Sequence, residues 1–368
     1  MMSKSSAIPA GPFIGFQLKH IGDFLMTLPA LGLIKKNLPD EKLTLVVSPK
    51  VAELAALHPW VDEVIVLDRQ AGFKHFWQIA KILRKKRFET AFVFDGQTRS
   101  IITARTAGVK NRIGSSGLYP LGRSAPLYTR NVAIESESSR LDSQAMRGQK
   151  MVAGALGLTP DPGLRPPMPA LDSSSIRPIA PLLGELEGTG PRIGLTLHGM
   201  QYEKSWPLAN FAELCRKLWE AFNARLFVTG GPGERPLADS LAKEAGVPVA
   251  NFCGRTSLPH VVSLAMVSDL FITIDTGTSH LVALTETPLL SIFIWTSPAL
   301  WPPQSPRAHL MCYEWALERF ELKPSDGPWQ VAPVITPEMV FLRAADILTN
   351  GQYKPEVDDS MTMTGLAG

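Results

Sequence analysis

The stretch FIGFQLKHIGDFLMTLPAL, residues 13–31, joins a strand-like apolar run to a helix-like apolar run through a single carboxylate. The part FIGFQL is nearly all apolar, as buried parallel strands are, and the part after Asp23 has the spacing near 3.6 residues that indicates a helix. A strand that leads directly into a helix begins a βα unit, and repeated βα units build a parallel sheet. The role of Asp23 therefore depends on what surrounds the end of that strand.

Strand-like and helix-like segments alternate along both halves of the chain, which predicts the α/β class. The strand-like segments are nearly all apolar, as expected of parallel strands that helices cover on both faces. They are FIGFQL, KLTLVVS, VDEVIVLD and TAFVFD in the first half, and RIGLTL, RLFVTG, VANFC, LFITID and LLSIFI in the second. We expect two doubly wound units, with ligands outside the carboxyl ends of the strands and in a cleft between the units.

A proline- and serine-rich stretch interrupts this alternation and sets the expected domain boundaries. Residues 1–170 are predicted to form an N-terminal Rossmann-like domain, 171–190 a Pro/Ser-rich linker and 191–350 a C-terminal Rossmann-like domain. Residues 351–368 are polar and carry little structural signal, so we expect a flexible tail there.

Charge is distributed unevenly between the two halves. Residues 1–150 hold 22 Lys+Arg and 12 Asp+Glu, whereas residues 151–368 hold 15 and 22. A basic half suits an anionic substrate or a membrane surface, although a solvated lysine-rich surface would give the same count. The basic run at 84–87 falls at a helix end, where the helix dipole favours it, so we predict no nucleic-acid partner.

Size and composition favour a cytoplasmic protein without a membrane span. The chain of 368 residues is long enough for two domains with cores of their own. No apolar stretch approaches the roughly 20 residues that cross a bilayer, and the first residues lack the apolar segment of a secretory signal. The three cysteines are far apart and odd in number, which indicates a reducing compartment rather than a disulfide framework.

The clearest local signal for a ligand is LFITIDTGTSHLVAL, residues 270–284. A strand ends at Asp275, a turn of small residues follows, and a helix is predicted to start near Thr278 or Ser279. Free N–H groups at such a start favour a phosphate, although an ordinary capped helix has the same pattern. A second signal is Lys204, in an irregular loop after a strand, where it either neutralises a diphosphate or is simply solvated.

The sequence lacks several common motifs, which excludes the nucleotide-binding and metal-binding sites that those motifs form. The glycine-rich segment VTGGPGERP at 228–236 matches neither G-x-x-x-x-G-K-[ST] nor G-x-G-x-x-G. The chain also lacks H-E-x-x-H, paired C-x-x-C and D-x-D motifs, so we predict neither a metal site nor a cofactor.

Taken in order, the motifs resemble glycosyltransferase family 9, the heptosyltransferases of Gram-negative lipopolysaccharide core synthesis. The resemblance covers roughly residues 13–310. The segments that carry it are GDFLMTLPAL, HPWVDEVIVLD, FDGQTRSIITARTAGVKNRIG, KSWPLANF, GRTSL, DTGTSHLVAL and TPLLSIFIWTSPALWPP. Each segment alone is only weakly specific, but the ordered set is specific for the family, although it does not identify one member.

The resemblance implies a GT-B fold, in which two Rossmann-like domains face each other across a cleft. The N-terminal domain would bind an anionic glycolipid acceptor, and the C-terminal domain a nucleotide-sugar donor, commonly ADP-heptose. The implied reaction is an inverting, metal-independent transfer of a heptose or related sugar to a lipopolysaccharide inner-core acceptor. It also implies a peripheral enzyme on the cytoplasmic face of the inner membrane.

The resemblance also suggests site residues. Asp23 falls where the family keeps its catalytic carboxylate, which would remove the acceptor hydroxyl proton; an N-cap role for the following helix is the alternative. The residues expected at the acceptor are Lys19, His20, Arg99 and Arg105. The residues expected at the donor are Lys204, Glu234, Thr256, Asp275, Thr276, Gly277, Thr278 and His280.

Two other functions stay open at this point. A sugar-nucleotide 2-epimerase of the same fold would need further acidic and basic groups around the sugar, which the sequence does not identify. A non-catalytic member would bind the sugar nucleotide as a scaffold, although the presence of both Asp23 and Lys204 speaks against it.

Overall fold

The computed structural model describes residues 11–68, 70–134, 141–197 and 205–350, with only the backbone of Ser174, and these form two compact units that divide between Ala170 and Leu171. Lys204 and the predicted tail at 351–368 lie outside the described residues. Each unit is built on its own parallel sheet.

The first unit has a six-stranded parallel sheet in the part of it that the structure describes. Its strands are β1 (Phe13–Gln17), β2 (Leu43–Val47), β3 (Glu63–Val66), β4 (Thr90–Val93), β5 (Asn111–Gly114) and β6 (Arg130–Asn131). They lie in the order β3-β2-β1-β4-β5-β6, so the order reverses between β1 and β4. The carboxyl ends of these two strands form the topological switch point, where such sheets bind ligands.

Helices cover both faces of this sheet. They are α1 (Ile21–Asn37), α2 (Ala52–Ala56), α3 (Gly72–Lys86), α4 (Thr98–Thr106) and α5 (Gln144–Leu156). All residues of β1, β2 and β4 are buried, which explains their nearly unbroken apolar sequences. On one face α1 packs along α5, where a Cβ built on Gly148 would lie 3.5 Å from the Cβ of Ala30. On the other face Ile79 and Leu83 of α3 join the apolar core under β1 and β4.

The second unit repeats the plan with seven parallel strands among its described residues. They are β7 (Arg192–Thr196), β8 (Arg225–Val228), β9 (Val249–Asn251), β10 (Leu270–Ile274), β11 (Leu289–Phe293), β12 (Ala308–Tyr313) and β13 (Trp329–Ala332). Their order is β13-β12-β11-β10-β7-β8-β9, so the switch point lies between β7 and β10.

The described helices of the second unit alternate with these strands. They are α6 (Ser173–Ile176), α7 (Ala180–Leu183), α8 (Leu208–Phe222), α9 (Arg235–Ala245), α10 (Leu258–Met266), α11 (Gly277–Val282), α12 (Glu314–Arg319) and α13 (Pro337–Asn350). The stretch at 171–190, predicted as a linker, includes α6 and α7 and packs onto this unit, because Ile179 and Leu182 are buried beside Phe227 and Phe252.

Two features of the elements differ from the patterns in the sequence. The first helix begins at Ile21 with His20 as its N-cap, so Asp23 is its third residue and not the N-cap. Strands β5, β6, β12 and β13 were not predicted, because they are short or mix polar and apolar residues. Among the described residues, no helix combines the length and the apolarity that crossing a membrane requires.

Candidate active site

The switch point of the first sheet brings two carboxylates together. Leu18 follows β1 directly, and its backbone N–H donates to Oδ2 of Asp95, which follows β4, at 2.9 Å. One turn further along the chain, Asp23 lies at the start of α1. The chain thus joins the ends of its two central strands through Asp95 and presents Asp23 at the same edge of the sheet.

Asp95 is a buried carboxylate with a complete set of donors. It is 1% exposed and also accepts hydrogen bonds from the N–H of Gln97 at 2.9 Å and from the hydroxyl of Ser100 at 2.7 Å. Burial raises the pKa of Asp95 to about 6, although these hydrogen bonds and the nearby charge of Lys19 act in the opposite direction. The residue after it, Gly96, has φ of 61°, and a Cβ there would lie 2.8 Å from the Cβ of Tyr119. Glycine therefore permits both the turn and the approach of that tyrosine.

Asp23 is held by one donor on each carboxylate oxygen. The hydroxyl of Tyr119 donates to Oδ1 at 2.5 Å, and the backbone N–H of His20 donates to Oδ2 at 3.3 Å. The second contact satisfies a free N–H at the helix start, so Asp23 does help to cap α1, from the third position rather than from the N-cap. The side chain is half-buried, which leaves part of the carboxylate open to a ligand.

Tyr119 and Lys19 form a second layer around this carboxylate. The Nζ atom of Lys19 lies 3.0 Å from the centroid of the Tyr119 ring. Burial, followed by the charge of Asp23 and its hydrogen bond, raises the pKa of Tyr119 far above its usual value, so its hydroxyl remains a donor. Burial lowers the pKa of Lys19, while Asp23 and Asp95 oppose that change.

Amide side chains complete the surroundings of Asp23. Gln17, at the end of β1, donates through Nε2 to the backbone oxygen of Asp23 at 3.2 Å and to Oγ1 of Thr27 at 2.9 Å. Gln144, at the start of α5, lies against the same place, and its buried Oε1 has no hydrogen-bond partner among the described residues.

The predicted acceptor residues divide into two groups. Lys19 and His20 lie beside Asp23, as their neighbouring positions require. Arg99 lies at the start of α4 and donates to the backbone oxygen of Asp68, which follows β3, so it belongs to the same edge of the sheet. Arg105 lies in the last turn of α4, exposed and near Arg112 at the amino end of β5. It is therefore at the opposite edge from Asp23, and the structure does not bring it to the site.

In the second unit the carboxyl end of β10 carries a polar turn. Asp275 is 7% exposed, and the hydroxyl of Thr296, which follows β11, donates to its Oδ2 atom. Thr276 caps α11, since its Oγ1 accepts from the N–H of Thr278 at 3.2 Å. His280 is buried, whereas Thr276, Gly277 and Thr278 are half-exposed. Because α11 has only six residues, its aligned dipoles are few, and the turn offers a ligand hydroxyl and N–H groups rather than a strong helix dipole.

Glu234 lies at a separate place on the same edge. A pocket of about 570 Å³ follows the carboxyl ends of β7 and β8 and is lined by Glu234, Ser205, Trp206 and Phe211. Its volume falls within the range of small-molecule sites. Since β7 lies between β10 and β8, this pocket and the turn at Asp275 flank the end of β7, which leads into residues outside the described part.

Thr256 lies in the loop after β9. Its Oγ1 atom is buried and has no hydrogen-bond partner among the described residues. Within that part of the chain, no group of three or more His, Cys, Asp or Glu side chains is arranged to hold a metal ion.

Sequence reasoning missed four residues around Asp23, namely Gln17, Asp95, Tyr119 and Gln144. Asp95 had a usable signal, since TAFVFD is a buried strand that ends in an acid, as LFITID is in the second half. Tyr119 had none, because it comes from a loop after β5 that only the folded chain brings to α1. Gln17 was counted as a strand residue, and Gln144 begins a helix that was not predicted.

Comparison with known proteins identifies the family. The model of glycosyltransferase family 9 (heptosyltransferase) matches residues 76–329. Lipopolysaccharide heptosyltransferase 1 of Pseudomonas aeruginosa is 26% identical over 295 residues, which cover 76% of this chain and 77% of that protein.

Solved structures agree on the fold. The Escherichia coli ADP-heptose lipopolysaccharide heptosyltransferase II is 18% identical, with a TM-score of 0.74, and the match covers 93% of this chain and 99% of that one. A family 9 glycosyltransferase of Veillonella parvula, also 18% identical, gives a TM-score of 0.73 over 92% and 97% of the two chains. Two Rossmann-like units, each built on a parallel sheet, are the GT-B fold of such enzymes. Since the family model spans more than half of the sequence, the chain belongs to glycosyltransferase family 9 and is a glycosyltransferase.

Proposed function

We propose that this glycosyltransferase moves a heptose or related sugar from a nucleotide-sugar donor, ADP-heptose in the first instance, to a lipopolysaccharide inner-core or related glycolipid acceptor. Family membership and the named relatives support the donor and acceptor class. The observation that carries the proposal is the carboxylate of Asp23, half-buried at the switch point of a Rossmann-like sheet, with a fixed donor on each oxygen.

In this mechanism Asp23 is the general base. The acceptor oxygen attacks the anomeric carbon, the bond from that carbon to the diphosphate oxygen breaks, and its electron pair leaves with the nucleotide. The acceptor proton passes to Asp23 as the new bond forms, which gives inversion in a single displacement. The hydrogen bonds from Tyr119 and His20 fix the orientation of the carboxylate, so less ordering is needed when the acceptor binds.

The donor is assigned to the second unit. The hydroxyl and N–H groups of the turn at Thr276–Thr278 would bind the diphosphate, and Asp275 and His280 would support that turn from its buried side. Glu234 would contact the ribose from its pocket, and Thr256 has a buried hydroxyl oxygen available near the base. Lys204, outside the described residues, is assigned to the departing diphosphate by the family resemblance.

The acceptor is assigned to the first unit, through Lys19, His20 and Arg99. An anionic glycolipid suits the excess of basic residues in this half of the chain. A lipid-linked acceptor also implies peripheral contact with the cytoplasmic face of the inner membrane.

The test is a transfer assay with purified protein, a panel of ADP-, UDP- and GDP-sugars, and a heptose-deficient lipopolysaccharide core as acceptor. We expect ADP-heptose to give a glycosylated acceptor and ADP, without added metal. Free nucleotide and a rearranged sugar in the absence of any acceptor would instead identify an epimerase. Binding of the nucleotide sugar without turnover would identify a non-catalytic member.

A further inference from the structure

The helix α3 has two apolar faces, and the core of the first unit accounts for only one of them. Phe76, Ile79, Ala80 and Leu83 are buried against the sheet. On another side Phe73 is 72% exposed and Trp77 49%. Large side chains at this exposure, grouped on one helix, indicate a surface that meets another apolar phase.

The exposed aromatic side chains form a packed cluster. The rings of Phe73 and Trp77 meet edge to face with centroids 5.7 Å apart, and the ring of Phe76 stacks on Phe73 at 5.9 Å. Phe76 is buried and anchors the other two to the body of the unit. The cluster is therefore held in place by the fold rather than by flexible side chains alone.

The charged side chains of residues 72–87 all have the same sign. Residues 72–87 hold six basic residues and no acidic one. All six are exposed: Lys74, Lys81, Arg84, Lys85, Lys86 and Arg87. Lys86 forms an ion pair with Glu63 at 2.7 Å. The positions 73, 77, 81 and 85 follow one another at the four-residue spacing of a helix face, so aromatic and basic side chains share one stripe.

We propose that this stripe, which we call the α3 surface (Phe73, Trp77, Lys81 and Lys85), docks the enzyme on an anionic lipid bilayer. Tryptophan and phenylalanine insert at the boundary between headgroups and acyl chains, and lysines bind the anionic headgroups around them. A purely polar partner would leave the two aromatic rings exposed, whereas a neutral apolar partner would leave the cations without counter-charges. The bilayer surface satisfies both requirements.

The position of the α3 surface agrees with a substrate that comes from the bilayer. The helix follows β3, so its first turn, with Phe73, lies at the carboxyl edge of the sheet, the edge that carries Asp23. This agreement rests on the proposed function, whereas the docking surface itself rests on α3 alone.

The test measures binding of the full-length protein to vesicles by sedimentation, without nucleotide sugar or acceptor. We expect binding to vesicles of phosphatidylcholine with phosphatidylglycerol, weak binding to phosphatidylcholine alone, and weaker but residual binding to the anionic vesicles at high salt, which screens the lysines and not the aromatic side chains. The variant Lys81→Gln/Lys85→Gln should lower the partition coefficient about fivefold per charge removed. The variant Phe73→Ser/Trp77→Ser should lower it by a larger factor and make the remaining binding fully salt-sensitive.

Matched controls come from the second unit. Val334 and Leu342 are 59% and 57% exposed, so Val334→Ser/Leu342→Ser removes two exposed apolar side chains elsewhere. Lys243→Gln/Lys323→Gln removes two exposed charges. Both controls should bind vesicles like the wild type, and thermal unfolding checks that all variants fold, as expected for changes at exposed positions.

Three outcomes overturn the proposal. The wild type fails to bind anionic vesicles at low salt, or the α3 variants bind as well as the controls. Alternatively, Phe73→Ser/Trp77→Ser abolishes self-association in analytical ultracentrifugation while vesicle binding persists, which would make the surface a contact between copies of the chain. Because no assay here uses the transfer reaction, failure of the proposed function would leave this result unaffected, and the reverse also holds.

Discussion

The carboxyl edges of the two sheets have the same plan but different chemistry. Each sheet reverses its strand order beside its first strand, between β1 and β4 in one unit and between β7 and β10 in the other. At the first edge Tyr119 contacts both Asp23 and Lys19, and a second carboxylate, Asp95, lies close enough to Lys19 to affect its pKa. At the second edge the turn after β10 presents mostly hydroxyls and N–H groups, with Asp275 turned onto Thr296, and Glu234 lies apart in its own pocket.

The difference teaches that a shared fold supplies the location, whereas the residues after each strand supply the chemistry. Ionisable groups in contact suit proton transfer, which the first edge is proposed to perform. Neutral donors suit the recognition of an anionic group that arrives with its own charge. If this division is correct, substitutions at the first edge should change the rate of reaction, and those at the second should change donor affinity.

The largest expected effect is the loss of the proposed base. Asp23→Asn should lower kcat for sugar transfer by roughly 10²–10⁴-fold, because a neutral amide cannot accept the acceptor proton. Donor affinity should stay at the wild-type value, because the donor is assigned to the other unit. Steady-state kinetics and calorimetric binding of ADP separate the two quantities.

Asp40→Asn is the control for this prediction. Asp40 is exposed on the same unit, beyond the end of α1, and its substitution removes the same charge. It should leave both kcat and donor affinity unchanged. Full activity in Asp23→Asn would falsify the assignment of the base and would remove the contrast between the two edges.

The next effect concerns stability and its dependence on pH. Burial raises the pKa of Asp95 in the folded protein to about 6, against 3.8 for an exposed aspartate in the unfolded chain, so between about pH 4 and pH 6 the folded protein retains a proton that the unfolded chain releases. The contribution of Asp95 to the free energy of unfolding therefore falls as pH rises through this window, by about 3 kcal/mol in total.

Asp95→Asn removes the group that titrates. It also replaces one carboxylate oxygen by an amide N–H₂, which cannot accept the hydrogen bonds that the side chain receives from Leu18, Gln97 and Ser100. The variant should be less stable than the wild type at pH 4, and the gap should shrink by about 3 kcal/mol towards pH 7. Urea unfolding across this range measures the gap. A gap that is constant with pH would show that Asp95 stays ionised throughout and that burial does not govern it.

The position of each residue in the chain decides which parts of the fold and of the candidate site the sequence can predict. The α/β class was predictable, because the residues of β1 and β10 are mostly apolar and each strand leads into a helix. The polar turn after β10 was predictable for the same reason, since Asp275 and Thr276 follow their strand directly. Such residues reach the edge of the sheet by local geometry alone.

Contacts made over long separations could not be predicted in this way. Tyr119 and Asp23 are 96 positions apart, and the loop that carries Tyr119 follows the short strand β5, which has no clear pattern. Arg105 was predicted at the site but does not reach it. It is close to Asp95 in the sequence, but it lies at the far end of α4, which runs from one edge of the sheet to the other. Position along α4, rather than distance in sequence, decides which arginine reaches the site.

Tyr119→Phe tests whether the network at the first edge acts on the base. The change removes the hydroxyl that donates to Oδ1 of Asp23 at 2.5 Å and keeps the ring that Lys19 contacts. We expect kcat to fall about tenfold, equivalent to roughly 1.4 kcal/mol, with donor affinity unchanged. The pH dependence of kcat should also shift, because Tyr119 acts through the carboxylate and not on the substrate.

Tyr128→Phe is the matched control, since the hydroxyl of Tyr128 is buried and has no hydrogen-bond partner among the described residues. It should leave kcat and its pH profile as they are in the wild type. Equal effects of the two substitutions would mean that Tyr119 has only a packing role.

The smallest expected effect is at the second edge. Thr276→Val keeps the shape of the side chain but removes the oxygen that accepts from the N–H of Thr278, so the free energy of unfolding should fall by about 1 kcal/mol. The turn that presents this N–H should then be less ordered, and ADP should bind a few-fold more weakly while kcat at saturating donor changes little.

Thr276→Ser, which retains the oxygen, should restore both stability and affinity. If Thr276→Val instead lowered kcat as strongly as Asp23→Asn, with ADP affinity intact, the second edge would take part in the chemical step. The two edges would then not divide catalysis from donor recognition, and the reaction would require charged groups from both sheets.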